Sequence, residues 1–199
     1  MTDRIYQFKI TIKDIAPLIW RRILVPETYN FWDLHVAIQD AMGWLDYHLH
    51  VFRIRPKHSH SVAEIGIPDL DGFDDEPAVL AGWETPISRY FNDVGVSAEY
   101  EYDFGDSWHH DVILEGILMK EKKQKYPACI AGERACPPED CGGVSGYHDL
   151  LKIISDPDHD EHESMITWLG GKYDPDEFSL SKVKFDNPKK RWRRAFTGN

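Results

Sequence analysis

The chain has 199 residues, 42 % of them hydrophobic and 29 % charged, an ordinary globular mix that excludes collagen-like, fibrous and wholly disordered chains. The length suits one sizeable domain or two small ones, and 7 Trp, 9 Tyr and 9 Phe supply material for a large core. With 23 Lys plus Arg against 34 Asp plus Glu, the net charge is −11, so the folded body should repel a polyanion except where positive charge is local.

The first segment alternates. Tyr6, Phe8, Ile10 and Ile12 fall on one face and Gln7, Lys9, Thr11 and Lys13 on the other, which predicts a half-buried strand over 4–13. Residues 18–25, LIWRRILV, are apolar on both faces and suit a more central strand in a hairpin with the first. Asn30 reads as a helix N-cap and Gly43 as a left-handed stop. Between them Phe31, Leu34, Ile38 and Met42 recur at helical spacing, with His35 on the same stripe. Residues 48–55 read as a strand with His48, His50, Phe52 and Ile54 on one face.

Residues 56–85 change character and form a long acidic excursion with one short strand near Val62–Ile67. Its DLDGFDD run has calcium-like composition, but the glycine and ligand spacing do not fit an EF-hand loop. Thr85 and Pro86 predict a helix that buries Ile87, Tyr90, Phe91 and Val94 and ends at Gly95. A hairpin follows, its strands at 97–104 and 108–119. Ala98, Tyr100, Tyr102 and Phe104 share one face of the first, and Trp108, His110, Val112 and Leu114 line the inner face of the second. Residues 126–146 look irregular. Helices are expected at 147–155, at 157–169 after an Asp156–Pro157 start, and from Asp174–Pro175 to about Val183. A last one from Asn187–Pro188 has Trp192, Ala195 and Phe196 as its apolar face.

The chain carries no signal-peptide pattern, no run of apolar residues long enough to span a membrane, and an odd number of cysteines, so it is expected to be a cytoplasmic protein without a disulfide framework. The fold class that follows is α+β: a single domain, with a mainly antiparallel sheet of about five strands, a ββαβ start and C-terminal helices packed on it. Residues 1–187 form the domain, and 188–199 a basic C-terminal tail or helix.

The strings IWRRILVP, DLHVAIQDAMGW, HLHVFRI, YEYDFGDSWHHDVILE, CPPEDCGGVSGYHDLL, DPDHDEH and WLGGKYDPDEF resemble the plasmid pRiA4b ORF-3-like family over nearly the whole chain, from about Tyr6 to Phe185. Related sequences carry the label of insertion-element passenger proteins. The resemblance implies a single α+β domain with no established activity and an association with mobile elements. The basic stretch from Lys189 to Arg194 lies beyond it.

Three constellations have the residue types for chemistry. Cys129, Cys136, Cys141 and His148 offer three thiolates and an imidazole, a donor set that suits tetrahedral zinc, with His159 and His162 as alternative fourth ligands. His35, His48, His50 and His110 all point inward by periodicity, and Asp103 and Asp106 flank the neighbouring turn, so together they are the candidates for a metal-dependent hydrolytic centre. Glu139 and Asp140 are expected to neutralise an arginine among Arg21, Arg22 and Arg134. No GxGxxG, P-loop, GxSxG or HExxH pattern occurs, so no nucleotide cofactor is expected. Two readings result: a binding or interaction module, or a metal-dependent hydrolase on the inward histidines. Nucleic-acid contact, if any, should be weak and run through Lys189, Lys190, Arg191, Arg193 and Arg194.

Overall fold

A computed structural model describes residues 3–57, 59–68 and 79–197. The acidic run from Asp69 to Glu76, with its calcium-like composition, lies outside the described residues. The chain enters as β1 (Arg4–Ile12) and returns as β2 (Trp20–Pro26). It then makes helix α1 (Phe31–Met42), followed by β3 (His50–Ile54), β4 (Ala63–Gly66), β5 (Leu80–Ala81), β6 (Ser97–Tyr102), β7 (Trp108–Met119) and β8 (Ala128–Glu133). Helices α2 (Gly143–Ser155), α3 (His162–Trp168) and α4 (Pro188–Thr197) complete it.

The eight strands form one sheet in the order β5-β4-β3-β6-β7-β1-β2-β8. Every pairing is antiparallel except β4 with β5, so the sheet is mixed and larger than the five antiparallel strands expected. The extra edge strand β8, ACIAGE, has no alternating pattern, because Ala and Gly leave little hydrophobic contrast between its faces. It pairs with β2 through a register shift at Arg22/Ile23. The α+β class and single domain stand.

The alternating faces are buried as the periodicity requires. Phe8, Ile10, Ile23, Phe52, Tyr100, Trp108, Val112 and Leu114 are sealed beneath α1, which contributes Phe31, Leu34 and Ile38. Each such side chain is worth roughly 1.5–3 kcal/mol of burial. Edge-on aromatic pairs at 4.8 Å (Phe8–Phe91) and 5.1 Å (Phe31–Phe52) lock the layers. The opposite sheet face carries cross-strand ion pairs, such as Arg22 to both oxygens of Glu115 and Arg53 to Glu64 and Glu101.

Three expected helices shrink. Residues 85–94 form only a 3-10 turn at Ile87–Arg89. Their backbone is committed elsewhere: the Phe31 N–H donates to the Thr85 carbonyl and the Ile87 N–H to the Tyr29 carbonyl. Ile87, Tyr90 and Phe91 are still buried, while Val94 is exposed. At the two Asp-Pro starts, the Asp156 and Asp174 carboxylates accept from the N–H two residues on, so both make tight Asx turns. Helix α3 therefore begins only at His162, and the segment after Asp174 holds just a 3-10 turn at Leu180–Lys182.

Helix α4 lies against α1. Arg191 donates to Asp40 at 2.6 Å, Trp32 Nε1 donates to the Pro188 carbonyl at 3.0 Å, and Phe196 stands 5.4 Å from the Trp32 ring. Arg194 pairs with Asp186. Two of the five expected anion-contact residues are thus spent on the fold.

Helix α1 has both reciprocal bonds of a capping box. The Asn30 side chain accepts from the Asp33 N–H at 2.8 Å, and the Asp33 carboxylate accepts from the Asn30 N–H at 3.3 Å. Asn30→Ala is expected to cost about 1 kcal/mol in urea unfolding, while Asn30→Asp keeps most of it. An unchanged midpoint for the alanine variant would show that the cap carries no stability.

Candidate metal centre

Three segments meet at one rim of the sheet: the link from α1 to β3, the turn after β6, and the loop before α2. The link leaves α1 through Gly43 in the left-handed region and is laced to its neighbours. Trp44 Nε1 donates to the Pro137 carbonyl at 2.9 Å, the Leu45 N–H to Glu139 Oε1 at 2.7 Å, and the Tyr47 N–H to the Tyr102 hydroxyl at 3.1 Å. These bonds hold His48 at the rim.

The turn after β6 is held by Asp103. Its backbone is left-handed, and its Oδ1 accepts from the Gly105 N–H at 2.9 Å and the Asp106 N–H at 3.3 Å. Asp103 Oδ2 is left to face His48. The loop before α2 docks onto the same turn, where Asp106 Oδ2 accepts from the Gly142 N–H at 3.0 Å. Only glycine fits at 143. Its φ is +66°, and a Cβ there would sit 2.3 Å from the Asp106 carbonyl oxygen. This close approach delivers Glu139 and Asp140.

His48 Nε2 then lies 3.0 Å from Asp140 Oδ1, 3.6 Å from Asp103 Oδ2 and 3.9 Å from Glu139 Oε2. That nitrogen is buried and makes no aligned hydrogen bond. Among the described residues, His48, Asp103 and Asp140 are the one set of three whose ligating atoms all lie within 4.8 Å of one another. Burial raises the Glu139 carboxyl above its usual range, opposed by the Leu45 N–H, Tyr102 and His48. One nitrogen and two or three carboxylate oxygens at these separations fit a divalent cation with bonds near 2.0–2.2 Å after a small inward adjustment.

The other inward histidines sit elsewhere. His35 and His50 stack in parallel with centroids 3.5 Å apart, and both are sealed, as is His110. His35 bonds the Tyr100 hydroxyl and Asp46, both at 2.8 Å. His110 Nδ1 meets the Tyr100 carbonyl at 3.2 Å. A hydrolytic centre on these three would need solvent access that their burial denies. The expected quartet is therefore split: His48 belongs to the rim, and the rest to the core. Of the candidate carboxylates, Asp103 faces His48, while Asp106 holds the docking loop.

The expected thiolate set does not converge. No three of Cys129, Cys136, Cys141 and His148 have ligating atoms within 4.8 Å of one another. Cys129 is on β8, with its thiol toward the Ala131 carbonyl at 3.5 Å. His148 projects from the exposed face of α2, whose buried positions are Tyr147, Leu150 and Ile153. Burial raises all three thiols, Cys141 to about 12. The expected arginine pairing also differs. Arg21 is held by backbone carbonyls, Arg22 by Glu115 and Arg134 by Asp176, so Glu139 and Asp140 are left to the rim. Asp140, the missed member of the site, has no periodic signal because it sits in a loop.

The chain belongs to the plasmid pRiA4b ORF-3-like protein family, whose model matches residues 4–182. It is 30 % identical over 198 residues to the uncharacterized protein y4hQ of Sinorhizobium fredii, covering 98 % of this chain and 97 % of that protein. It is similar in structure to the protein of unknown function MM3350 from Methanosarcina mazei Go1, at 41 % identity and a TM-score of 0.83, over 93 % of this chain and all of that one. No helix among the described residues is long and apolar enough to cross a membrane.

Burial lowers the His110 pKa from its ordinary value to about 4, against the opposing backbone bonds to Tyr100 and Trp108. The folded value lies below the unfolded one, so neutral His110 contributes its full stability above pH 6.5 and loses it as pH falls towards 4. The loss is on the order of 3 kcal/mol. His50 is shifted the same way by burial. Urea midpoints should fall between pH 7 and pH 4, and fall less steeply in His110→Leu. A slope unchanged in that variant would remove His110 as a cause.

Proposed function

We propose that this protein is a binding module whose recognition face is the rim at His48, with a divalent cation held by His48, Asp103 and Asp140 and supported by Glu139. The carrying observation is the buried, unpartnered His48 Nε2 among carboxylate oxygens at 3.0–3.9 Å. The same segments expose large apolar side chains. Leu45, Tyr47 and Leu49 flank His48, and Phe104 follows Asp103, each at least half exposed. Such a border supports a ligand that offers one donor atom to the cation and an apolar body to the rim.

The donor set supports a borderline cation such as zinc, since imidazole and carboxylates together accommodate it. Nucleic acid is disfavoured here, because the rim is acidic and the exposed bases Lys189, Lys190 and Arg193 lie on α4.

The test is a zinc titration of chelator-treated protein by calorimetry. One equivalent should bind the wild type, with affinity reduced at least tenfold in His48→Ala and in Asp103→Asn, and thermal stability should rise with zinc in the wild type alone. Cys141→Ser should bind as the wild type does. Equal binding by His48→Ala, or loss of binding in Cys141→Ser, would overturn the assignment.

A further inference from the structure

Arg21 is the anomalous charge in this fold. It is 2 % exposed, yet all four of its hydrogen bonds go to backbone carbonyls, those of Ala41, Trp20, Glu133 and Arg134, at 2.8–2.9 Å. Among the described residues it has no carboxylate partner. A guanidinium has five N–H groups, so one Nη2 hydrogen is left over. A buried cation without a counter-ion is costly, and carbonyl dipoles replace only part of the lost hydration. Burial correspondingly lowers its pKa.

Arg21 also lines a cavity of about 270 Å³ between the end of α1, the residues after β8 and the 172–183 segment. The nearby acids are largely occupied. Asp40 is bound to Arg191, Glu177 to Lys182, and Asp174 accepts from the Asp176 N–H. Lys172 lines the cavity and has no ion-pair partner among the described residues. Among the described residues, the cavity therefore offers one buried and one exposed positive charge without ion-pair partners, against the single unpaired acid Asp174, whose carboxylate is engaged only by the Asp176 N–H. Ala41, Met42, Phe178 and Val183 supply its apolar wall, with the Phe178 ring 4.1 Å from the guanidinium.

We propose that this cavity, on elements distinct from the His48 rim, binds a small organic monocarboxylate. One carboxylate oxygen meets the free Arg21 Nη2 hydrogen, the other meets Lys172, and a compact apolar body lies against Phe178 and Val183. Two donors match the two oxygens of a single carboxylate. The volume lies just under the roughly 300–1,000 Å³ of drug-sized pockets, so the ligand is small. The proposal does not depend on a metal at His48 and fails or holds separately from it.

The probe is benzoate, titrated into the full chain by calorimetry, with benzamide as its neutral counterpart and inorganic phosphate as a second anion. Saturable benzoate binding is expected, together with at least tenfold weaker binding of benzamide and of phosphate. Lys172→Glu, an exposed change that spares the core, should weaken benzoate at least tenfold, and Phe178→Ala should weaken it as well. His48→Ala should bind benzoate like the wild type. Arg21→Met is the direct variant but risks misfolding, so the Lys172 and benzamide arms carry the decision. Absence of saturable benzoate binding, equal affinity for benzamide or phosphate, or an unchanged Lys172→Glu would each overturn the proposal.

Discussion

The hydroxyl of Tyr100 is the point around which the core is oriented. Gln39 Nε2 donates to it at 2.9 Å, and it stands 2.8 Å from His35 Nδ1. The phenol oxygen accepts from the Gln39 amide and is also bonded to the His35 ring at Nδ1. The other ring nitrogen, Nε2, lies 2.8 Å from Asp46 Oδ1. One hydrogen-bonded chain thus runs from the helix to the sheet, back to the helix, and out to the link that carries His48. It sets the rotation of α1 on the sheet, because His35 and Gln39 are one helical turn apart and must both reach a single residue of β6. Burial, the largest influence, holds the Tyr100 phenol well above its usual range, so the hydroxyl stays protonated at neutral pH.

That chain reaches α4 as well. Arg191 lies 3.6 Å from the second oxygen of Asp46 and 2.6 Å from Asp40, so the C-terminal helix neutralises the acids at the exit of α1. The family match ends at residue 182, before this helix. The contact explains why a helix bearing five basic residues docks on this acidic chain: Arg191 meets acids already gathered by the fold, and Trp192 and Phe196 meet Trp83 and Trp32.

What was legible in the sequence tracked local signals. Helix α1 has the bounds that Asn30 and Gly43 imply, because both its caps and its stripe are encoded within fourteen residues. The strand faces of β1 and β7, and of β6 as far as Tyr102, follow from alternation for the same reason, whereas Phe104, expected on the inner face, lies past the end of β6 and is half exposed. The errors arose where distant backbone decided the outcome. The Thr85–Pro86 start is a sound local helix signal, but its backbone pairs with Tyr29 and Phe31 before a helix can propagate. Alternation from Phe52 puts His48 on the inward face. Strand β3 begins only at His50, so the count loses meaning one step earlier and His48 turns to the rim. Asp140 joins it from more than ninety residues away, through a glycine contact that no periodicity encodes.

The distribution of strain separates the two polar clusters. In the core, His35, Gln39 and Tyr100 lie on regular elements and bond one another, with the Gln39 Oε1 atom left without a partner among the described residues. At the rim, Asp46, Asp103 and Asp140 all have left-handed backbones, a conformation that costs an ordinary residue roughly 1–2 kcal/mol and aspartate somewhat less. The carboxylates there are also tethered against their mutual repulsion: Asp103 by the Gly105 N–H, Asp106 by that of Gly142, and Glu139 by that of Leu45. They cannot splay apart to lower the local field. Strain and like charge concentrated at an exposed rim do nothing for the hydrophobic core, which is complete beneath α1 without them. A single imidazolium would offset at most one of these negative charges, whereas a divalent cation at the proposed site would offset two and take up the His48 nitrogen, which makes no aligned hydrogen bond. That imbalance is what the proposed recognition at the rim rests on, while the buried histidines hold the fold.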